Sequence, residues 1–296
     1  VATAAGCPLQ ISHLKTQGPR NWPRIDAVLE RIEATRAAGL DIAFDRYPYI
    51  AYQTGLSNLF PPSSRDGGTA AFLARLAGAD TGPALRAQAA AKAESIGGWD
   101  NVMIASVRAE SDKAAEGQRL GTYAKSLGVP PDELTVALLT RNDGNVGMVG
   151  FAMSEDNLAR FLAHPLGMVC SDGGAFAVEG PARRGHPHPR GLGSFPRVLG
   201  HFVRETKTLT LEQAVWKMSG FPAARVRLAD RGRLRVGSAA DVVTFDPATV
   251  ADRATFTDPF QYPTGIPHVL VNGAFAVRDG EQTDSRTGRA IRIQGR

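Results

Sequence analysis

Near its N-terminus the chain reads as a strand, a helix and a second strand in close succession, and this order limits the possible folds more than any other feature. Residues 8–12 are a short apolar run typical of a buried strand. Apolar residues recur at helical spacing over residues 25–32, so we expect a helix capped by Asn21 and stopped by Gly39. Residues 40–44 read as the second strand. Two strands joined by one helix predict a parallel βαβ unit.

The segment that follows, residues 55–145, has a looser pattern, and we predict an inserted helical segment there. Helical stretches at residues 69–92 and 120–139 flank a short apolar strand at residues 102–105. An insertion of this length usually has a function, such as a lid over a site.

Regular α/β order is expected to resume after the insertion. Residues 146–151 form an apolar run, Ser154 is placed to cap a helix, and residues 168–170 read as a strand that runs directly into Ser171-Asp172-Gly173-Gly174. Residues 175–194 are rich in Gly, Pro, Arg and His and predict a loop.

After Arg227 the pattern changes to short strands. Residues 241–245 read as a strand, and two further apolar runs flank Asn272-Gly273, a strong hairpin signal. We therefore divide the chain into residues 1–227, an α/β part with the inserted segment, and residues 228–296, a small β-rich flanking domain.

Composition and charge narrow the classes of function. With 43% hydrophobic and 21% charged residues we expect a soluble globular protein. The sequence contains no apolar run of about 18 residues, the length needed to span a membrane. The net charge of +5 comes mostly from scattered arginines without interleaved aromatic residues, which argues against nucleic acid and suits an anionic small substrate. Cys7 and Cys170 lie far apart, so we expect no disulfide framework and a cytoplasmic location.

Polar residues follow three of the predicted strands. His13 lies after the first, Asp45 and Tyr47 lie at the end of the second, and Asp172 follows the strand at residues 168–170. Because the strand ends of a parallel α/β sheet meet at the functional cleft, these side chains are the first candidates for a site. An imidazole and a carboxylate that converge can bind a divalent metal, and the carboxylate can accept a proton from metal-bound water.

Each of these residues also has a plain structural interpretation. A single histidine at a strand end commonly forms only structural hydrogen bonds, and Asp172 before two glycines could be a turn former or a helix cap. Tyr47 next to Pro48 could belong to a rigid packed turn, and the cations around Arg190 could form a solvated basic loop. Taken singly, no residue decides between the two interpretations.

Several ordered motifs run along the chain and carry more information than single residues do. They occupy residues 11–15, 45–49, 164–173, 186–200, 214–218 and 231–243. In this order they resemble the N-acyl-D-amino-acid deacylases, or D-aminoacylases, of the amidohydrolase superfamily.

The resemblance implies a fold and an activity. The fold is α/β, the C-terminal part of a metal-dependent (β/α)8 TIM barrel containing its sixth, seventh and eighth strands, plus the small β-rich flanking domain. The activity is zinc-dependent hydrolysis of the amide bond of N-acyl-D-amino acids. Two alternatives stay open, namely another amide or cyclic-amide hydrolase of the same superfamily and a noncatalytic subunit that retains the scaffold.

The resemblance also implies roles for five residues. His13, at the end of the sixth strand, would be a zinc ligand, and Asp172, at the end of the eighth, would be the general base. Lys15, Tyr47 and Arg190 fall on positions that hold the substrate carboxylate, which suits a charged lysine, a phenol donor and a forked guanidinium.

Most of the metal site that the resemblance implies would lie before Val1, together with the first strands of the barrel. Catalytic zinc commonly uses three protein ligands, and an incomplete barrel exposes open strand edges. We therefore expect the chain to be inactive alone and to pair with an N-terminal fragment, cut from a common precursor, that completes the barrel and the metal site. The alternative is that the sequence omits the first half.

Overall fold

The computed structural model describes residues 1–292, in which ten strands form three small sheets. The strands are β1 (Leu9–Ile11), β2 (Ile42–Arg46), β3 (Ala51–Gly55), β4 (Val102–Ser106), β5 (Gly147–Phe151), β6 (Gly167–Val169), β7 (Val242–Thr244), β8 (His268–Val271), β9 (Ala274–Arg278) and β10 (Glu281–Gln282).

Helices surround the sheets. The α-helices are α1 (Ala2–Ala5), α2 (Ile25–Ala37), α3 (Gly68–Ala77), α4 (Gly82–Ser95), α5 (Leu120–Ser126), α6 (Pro131–Arg141), α7 (Glu155–Ala163), α8 (Arg190–Arg197), α9 (Leu211–Val215) and α10 (Phe221–Arg225). Two π-helical stretches, Val198–Glu205 and Trp216–Gly220, continue α8 and join α9 to α10. Within residues 1–292, no helix combines the length and the apolar character needed to cross a bilayer.

The first sheet is parallel and has the order β1-β2-β6. Leu9 is paired with Ile42, and Phe44 with Gly167. Because all three strands run in the same direction, their carboxyl ends lie along one edge, as the strand–helix–strand order predicts. The candidate site is built on this edge.

Helix α2 covers one face of the parallel sheet. Its buried side chains Ile25, Leu29 and Ile32 pack with Ile42 and Phe44 of β2. This apolar stripe has the helical spacing seen in the sequence, and its burial anchors the helix to the sheet.

The expected start of this helix is wrong. Pro19–Arg24 forms a 3₁₀ helix, and the Asn21 side-chain amide donates to Gln17 O at 2.7 Å instead of capping α2. A contact with a distant residue holds this 3₁₀ helix in place, because Trp22 Nε1 donates to Ala152 O at 3.0 Å. Local sequence preferences do not reveal such a contact. The expected stop is confirmed, since Gly39 has a φ of 96°.

The segment predicted as a helical insertion at residues 55–145 contains an antiparallel sheet as well as helices. Strand β5 pairs antiparallel with both β3 and β4, in the order β3-β5-β4. Residues 146–151 therefore belong to the inserted sheet, and the expectation that α/β order resumes there is wrong. A short apolar run reads alike in either kind of sheet, so the sequence does not separate the two cases.

The helices of the insertion pack over its sheet. The stretch expected as one helix at residues 69–92 is two helices, α3 and α4. Phe72 and Leu76 from α3 and Leu138 from α6 enter the same buried cluster as Met148 of β5. The inserted segment therefore packs around a buried cluster that also contains Tyr47 and Tyr49.

The last elements follow the predictions more closely. The hydroxyl of Ser154 caps α7 by accepting the Asn157 N–H at 3.3 Å. The four strands after α10 form an antiparallel sheet in the order β10-β9-β8-β7, with Asn272 and Gly273 at positive φ in the expected hairpin turn. Residues 293–296 of the predicted flanking domain lie outside the described residues.

Candidate active site

His13 and Asp172 follow strands β1 and β6, and both have left-handed backbone conformations, with φ of 42° and 48°. Such a conformation costs a non-glycine residue about 1–3 kcal/mol unless its surroundings hold it, and it is concentrated at functional sites. The turn at His13 is held because its N–H donates to Asp45 Oδ1 at 2.8 Å. His13 and Asp172 are thus two of the seven non-glycine residues within residues 1–292 that have a positive φ.

Asp45 of β2 is linked to β1 by a side-chain hydrogen bond. Its second oxygen, Oδ2, accepts a hydrogen bond from Gln10 Nε2 at 2.8 Å, and Gln10 Oε1 accepts one from Arg225 Nε at 3.1 Å. Both carboxylate oxygens of Asp45 are therefore engaged within the chain. Asp45 orients His13 and does not offer a free carboxylate to a ligand.

Lys15 lies beside His13 and faces Tyr47. Its Nζ is 2.9 Å from His13 Nδ1 and 5.6 Å from the centre of the Tyr47 ring. Burial is the main reason that the pKa of Lys15 falls to about 8; repulsion from Arg46 adds to this effect, and attraction to Asp172 opposes it. The ammonium is thus held in a site that already contains other positive charge.

Tyr47 is fully buried and lies at the centre of this positive charge. The guanidinium carbons of Arg46 and Arg190 lie 4.1 Å and 4.6 Å from the centre of its ring. Burial raises the pKa of Tyr47 although the charge of Arg46 opposes the shift, so the phenol stays a neutral donor. Among the described residues its buried hydroxyl has no hydrogen-bond partner. A buried donor of this kind is costly unless a ligand satisfies it.

Arg190 and Asp172 meet next to this ring. Arg190 is the first residue of α8 and is 6% exposed, and its Nη1 lies 2.8 Å from Asp172 Oδ2. The loop after β6 reaches the helix through glycines, since a Cβ on Gly173 would lie 2.8 Å from Gly191 Cα. The close approach of the two backbones therefore brings the carboxylate to the guanidinium.

The structure brings together all five residues singled out in the sequence. Contacts run from His13 through Lys15 to Tyr47, and from Tyr47 through Arg190 to Asp172. Their chemical roles are not tested by this geometry and stay predictions.

Two further residues, Arg46 and His188, complete the cluster and were not expected from the sequence. Arg46 is 1% exposed and donates one hydrogen bond, from Nη2 to Tyr49 O at 2.7 Å. His188 is equally buried and contacts the backbone of Arg190. Both lie inside the motifs at residues 45–49 and 186–200, but a buried charge or imidazole has no periodic signal that would mark it.

His13 is the imidazole that this cluster could offer to a metal, because its side chain is exposed at the strand edge. No group of three or more His, Cys, Asp or Glu side chains within residues 1–292 could hold a metal ion. The described residues therefore fit one part of a catalytic metal site and not a complete one.

Comparison with known proteins places part of the chain in the amidohydrolase class. Residues 183–277 match the model of the amidohydrolase family. An N-acyl-D-glutamate deacylase from Alcaligenes xylosoxydans xylosoxydans is 38% identical over 292 residues, which are 99% of this chain and 50% of that protein. A D-aminoacylase from the same organism is 36% identical over 96% of this chain and 48% of its own length.

A solved structure supports the same similarity as the sequence relatives. The N-acyl-D-glutamate deacylase from Bordetella bronchiseptica, in complex with zinc and a phosphonate inhibitor that mimics the tetrahedral intermediate, has a TM-score of 0.72 and 35% identity over 95% of this chain and 50% of its own. The fold is thus a mixed α/β fold of the amidohydrolase type. Over nearly its whole length the chain is similar to the N-acyl-D-amino-acid deacylases, or D-aminoacylases. It spans about half the length of the curated relatives it matches.

Proposed function

We propose that this chain forms part of a zinc-dependent hydrolase that cleaves the amide bond of N-acyl-D-amino acids, releasing a carboxylate and a free amino acid. The observation that carries the proposal is the group of three cations around Tyr47, with Asp172 beside them, at the carboxyl ends of the parallel strands. The names of the relatives support the same substrate class.

The cations would bind the substrate carboxylate. Like charges at these distances repel strongly in a partly buried site, and an acidic ligand relieves the repulsion. Arg190 offers a fork of donors, the Tyr47 hydroxyl is a donor without a partner within residues 1–292, and Lys15 adds a point charge. These three groups would fix the end of the substrate next to the scissile amide.

Asp172 would then act as the general base. A substrate carboxylate that engages Arg190 competes with Asp172, which lies 2.8 Å from the same guanidinium. The released carboxylate can accept a proton from the attacking water and return it to the departing amine as the amide bond breaks. Substrate binding and activation of the base would be coupled through Arg190.

His13 is the zinc ligand that this chain would supply. An ammonium can only donate, so Lys15 must either move away from His13 Nδ1 or lose its own proton before the ring can bind a metal through a nitrogen without a proton. When bound, zinc polarises the acyl carbonyl and lowers the pKa of water.

We further propose that a second chain supplies the other metal ligands and the other strands of a (β/α)8 barrel. Within residues 1–292 the parallel sheet ends at β1 on one side and β6 on the other, which leaves both edges without a neighbouring strand. Intact-mass analysis of the native preparation tests this proposal. Two associated polypeptides would support it, and a monodisperse 296-residue chain that hydrolyses substrate alone would contradict it.

A substrate panel tests the activity. The native protein, stripped of metal by a chelator and reloaded with zinc, is assayed with N-acetyl-D- and N-acetyl-L-amino acids and with hydantoins. We expect hydrolysis of the D series that depends on zinc. Hydrolysis of hydantoins only would favour a cyclic-amide hydrolase, and no turnover of any amide in the reconstituted protein would favour a noncatalytic subunit.

A further inference from the structure

His188 lies behind the candidate site and does not reach its surface. It is 1% exposed, and its ring packs edge-on against Tyr49 and Phe256 at centroid distances of 5.0 Å and 4.9 Å. A substrate in the site would not touch this imidazole.

Both ring nitrogens of His188 are engaged by backbone groups. The N–H of Arg190 donates to Nδ1 at 3.0 Å, so Nδ1 carries no proton. Nε2 lies 3.0 Å from Ala51 O, which can only accept, so Nε2 carries the proton. The ring is therefore neutral and held in one tautomer. The pKa of His188 is also lowered well below its usual value, mainly by burial and further by the charge of Arg190.

These two bonds join the helix that carries Arg190 to the inserted sheet. Arg190 is the first residue of α8, and Ala51 is the first residue of β3. The first N–H groups of a helix have no partner within the helix, so His188 satisfies one that would otherwise be left free. The same contact fixes where the side chain of Arg190 leaves the backbone.

We propose that His188 is a positioning residue for Arg190, which orients its guanidinium toward the substrate carboxylate. The proposal rests on the proposed function of Arg190 in carboxylate binding. His188 acts through Arg190 and does not act on the substrate. A loss of His188 should therefore weaken carboxylate binding more than it slows the chemical step.

Paired variants in the native, zinc-loaded protein test this proposal. His188→Leu removes the acceptor for the Arg190 N–H, whereas His188→Asn keeps an oxygen near the place of Nδ1. We expect His188→Leu to raise KM for an N-acetyl-D-amino acid about tenfold with kcat within about twofold, as the loss of one well-placed hydrogen bond predicts. His188→Asn should recover most of that loss.

His164 offers a matched control. It is also buried, and its Nδ1 accepts the N–H two residues further along, that of Leu166, at 3.2 Å. His164→Leu should lower thermal stability and leave KM unchanged. If His188→Leu behaves in the same way, or if His188→Asn is no better than His188→Leu, the positioning role is wrong.

A measurement without catalysis separates this inference from the proposed function. Nitrogen-15 NMR of the wild-type protein should show His188 as the neutral Nε2–H tautomer throughout pH 5 to 8. A ring that titrates in this range would overturn the inference even in an active enzyme. An inactive wild-type protein with the expected tautomer would instead count against the proposed function alone.

Discussion

Arg190 and Asp172 form an ion pair with 2.8 Å between Nη1 and Oδ2, and the two partners differ in burial. The Arg190 side chain is 7% exposed at the start of α8, whereas that of Asp172 is 37% exposed on the loop after β6. Because the arginine is the more buried partner, we expect its guanidinium to stay in place and the more exposed aspartate to be the partner that moves when a ligand binds. The proposed anchor for the substrate and the proposed base are thus linked by one contact.

Removal of the Arg190 charge should weaken substrate binding selectively. We expect Arg190→Ala to raise KM for an N-acetyl-D-amino acid by about tenfold to a hundredfold, because charge-assisted hydrogen bonds are worth about 1.5–3 kcal/mol. Steady-state kinetics measures this change, and an analogue with an amide in place of the carboxylate is the control. Equal losses on both compounds would refute the anchoring role.

Lys217 should make stability depend on pH in the alkaline range. Burial lowers the pKa of Lys217 from its usual 10.5 to about 8, although Nζ donates to His164 O and Gly167 O. Between these two values the unfolded chain binds more protons than the folded one, so stability rises with pH. From pH 8 to 10.5 the free energy of unfolding of the wild type should therefore rise, relative to that of Lys217→Met, by on the order of 1 kcal/mol after allowance for solvent screening.

Urea unfolding of both proteins at several pH values measures the effect of Lys217. Lys125→Met, at an exposed position on α5, is the matched control and should show no such change relative to the wild type. A constant difference between the wild type and Lys217→Met across this range would mean that the pKa of Lys217 is the same in the folded and the unfolded protein.

Asn142 should be a major source of stability in the inserted segment. Its side-chain oxygen accepts the N–H groups of Arg108 and Ala109 at 2.7 Å each, and its amide donates to Asp112 Oδ2 at 2.7 Å. Asn142→Leu leaves these groups without a partner and should destabilise the protein by about 3 kcal/mol or more in urea unfolding. Asn145→Leu, at an exposed site, should change stability by less than about 0.5 kcal/mol; similar losses in both variants would contradict this account.

The sequence predicts the parts of this protein that depend on local pattern. The βαβ unit, the Ser154 cap and the Asn272-Gly273 hairpin are confirmed because periodicity, capping and turn chemistry act over a few residues. The pairing of β5 with β3 and β4 depends on which distant strand is its neighbour, and an apolar run does not specify that neighbour.

In the candidate site, too, some residues can be predicted from local pattern and others depend on contacts between distant elements. His13 and Asp172 stand at strand ends and could be found from the order of elements. The contact of His188 with Ala51 O forms only when α8 and β3 come together, and the burial of Arg46 at the end of β2 depends on the packing of distant residues, so no local pattern marks either residue.

The most direct test of the account is the turnover of Asp172→Asn in the native, zinc-loaded protein, with the zinc content measured on the same sample. Asparagine keeps the size of the side chain and removes its basicity, so kcat should fall by about a hundredfold to ten-thousandfold while zinc stays bound. Turnover at the wild-type level with zinc retained would contradict the assignment of Asp172 as the base.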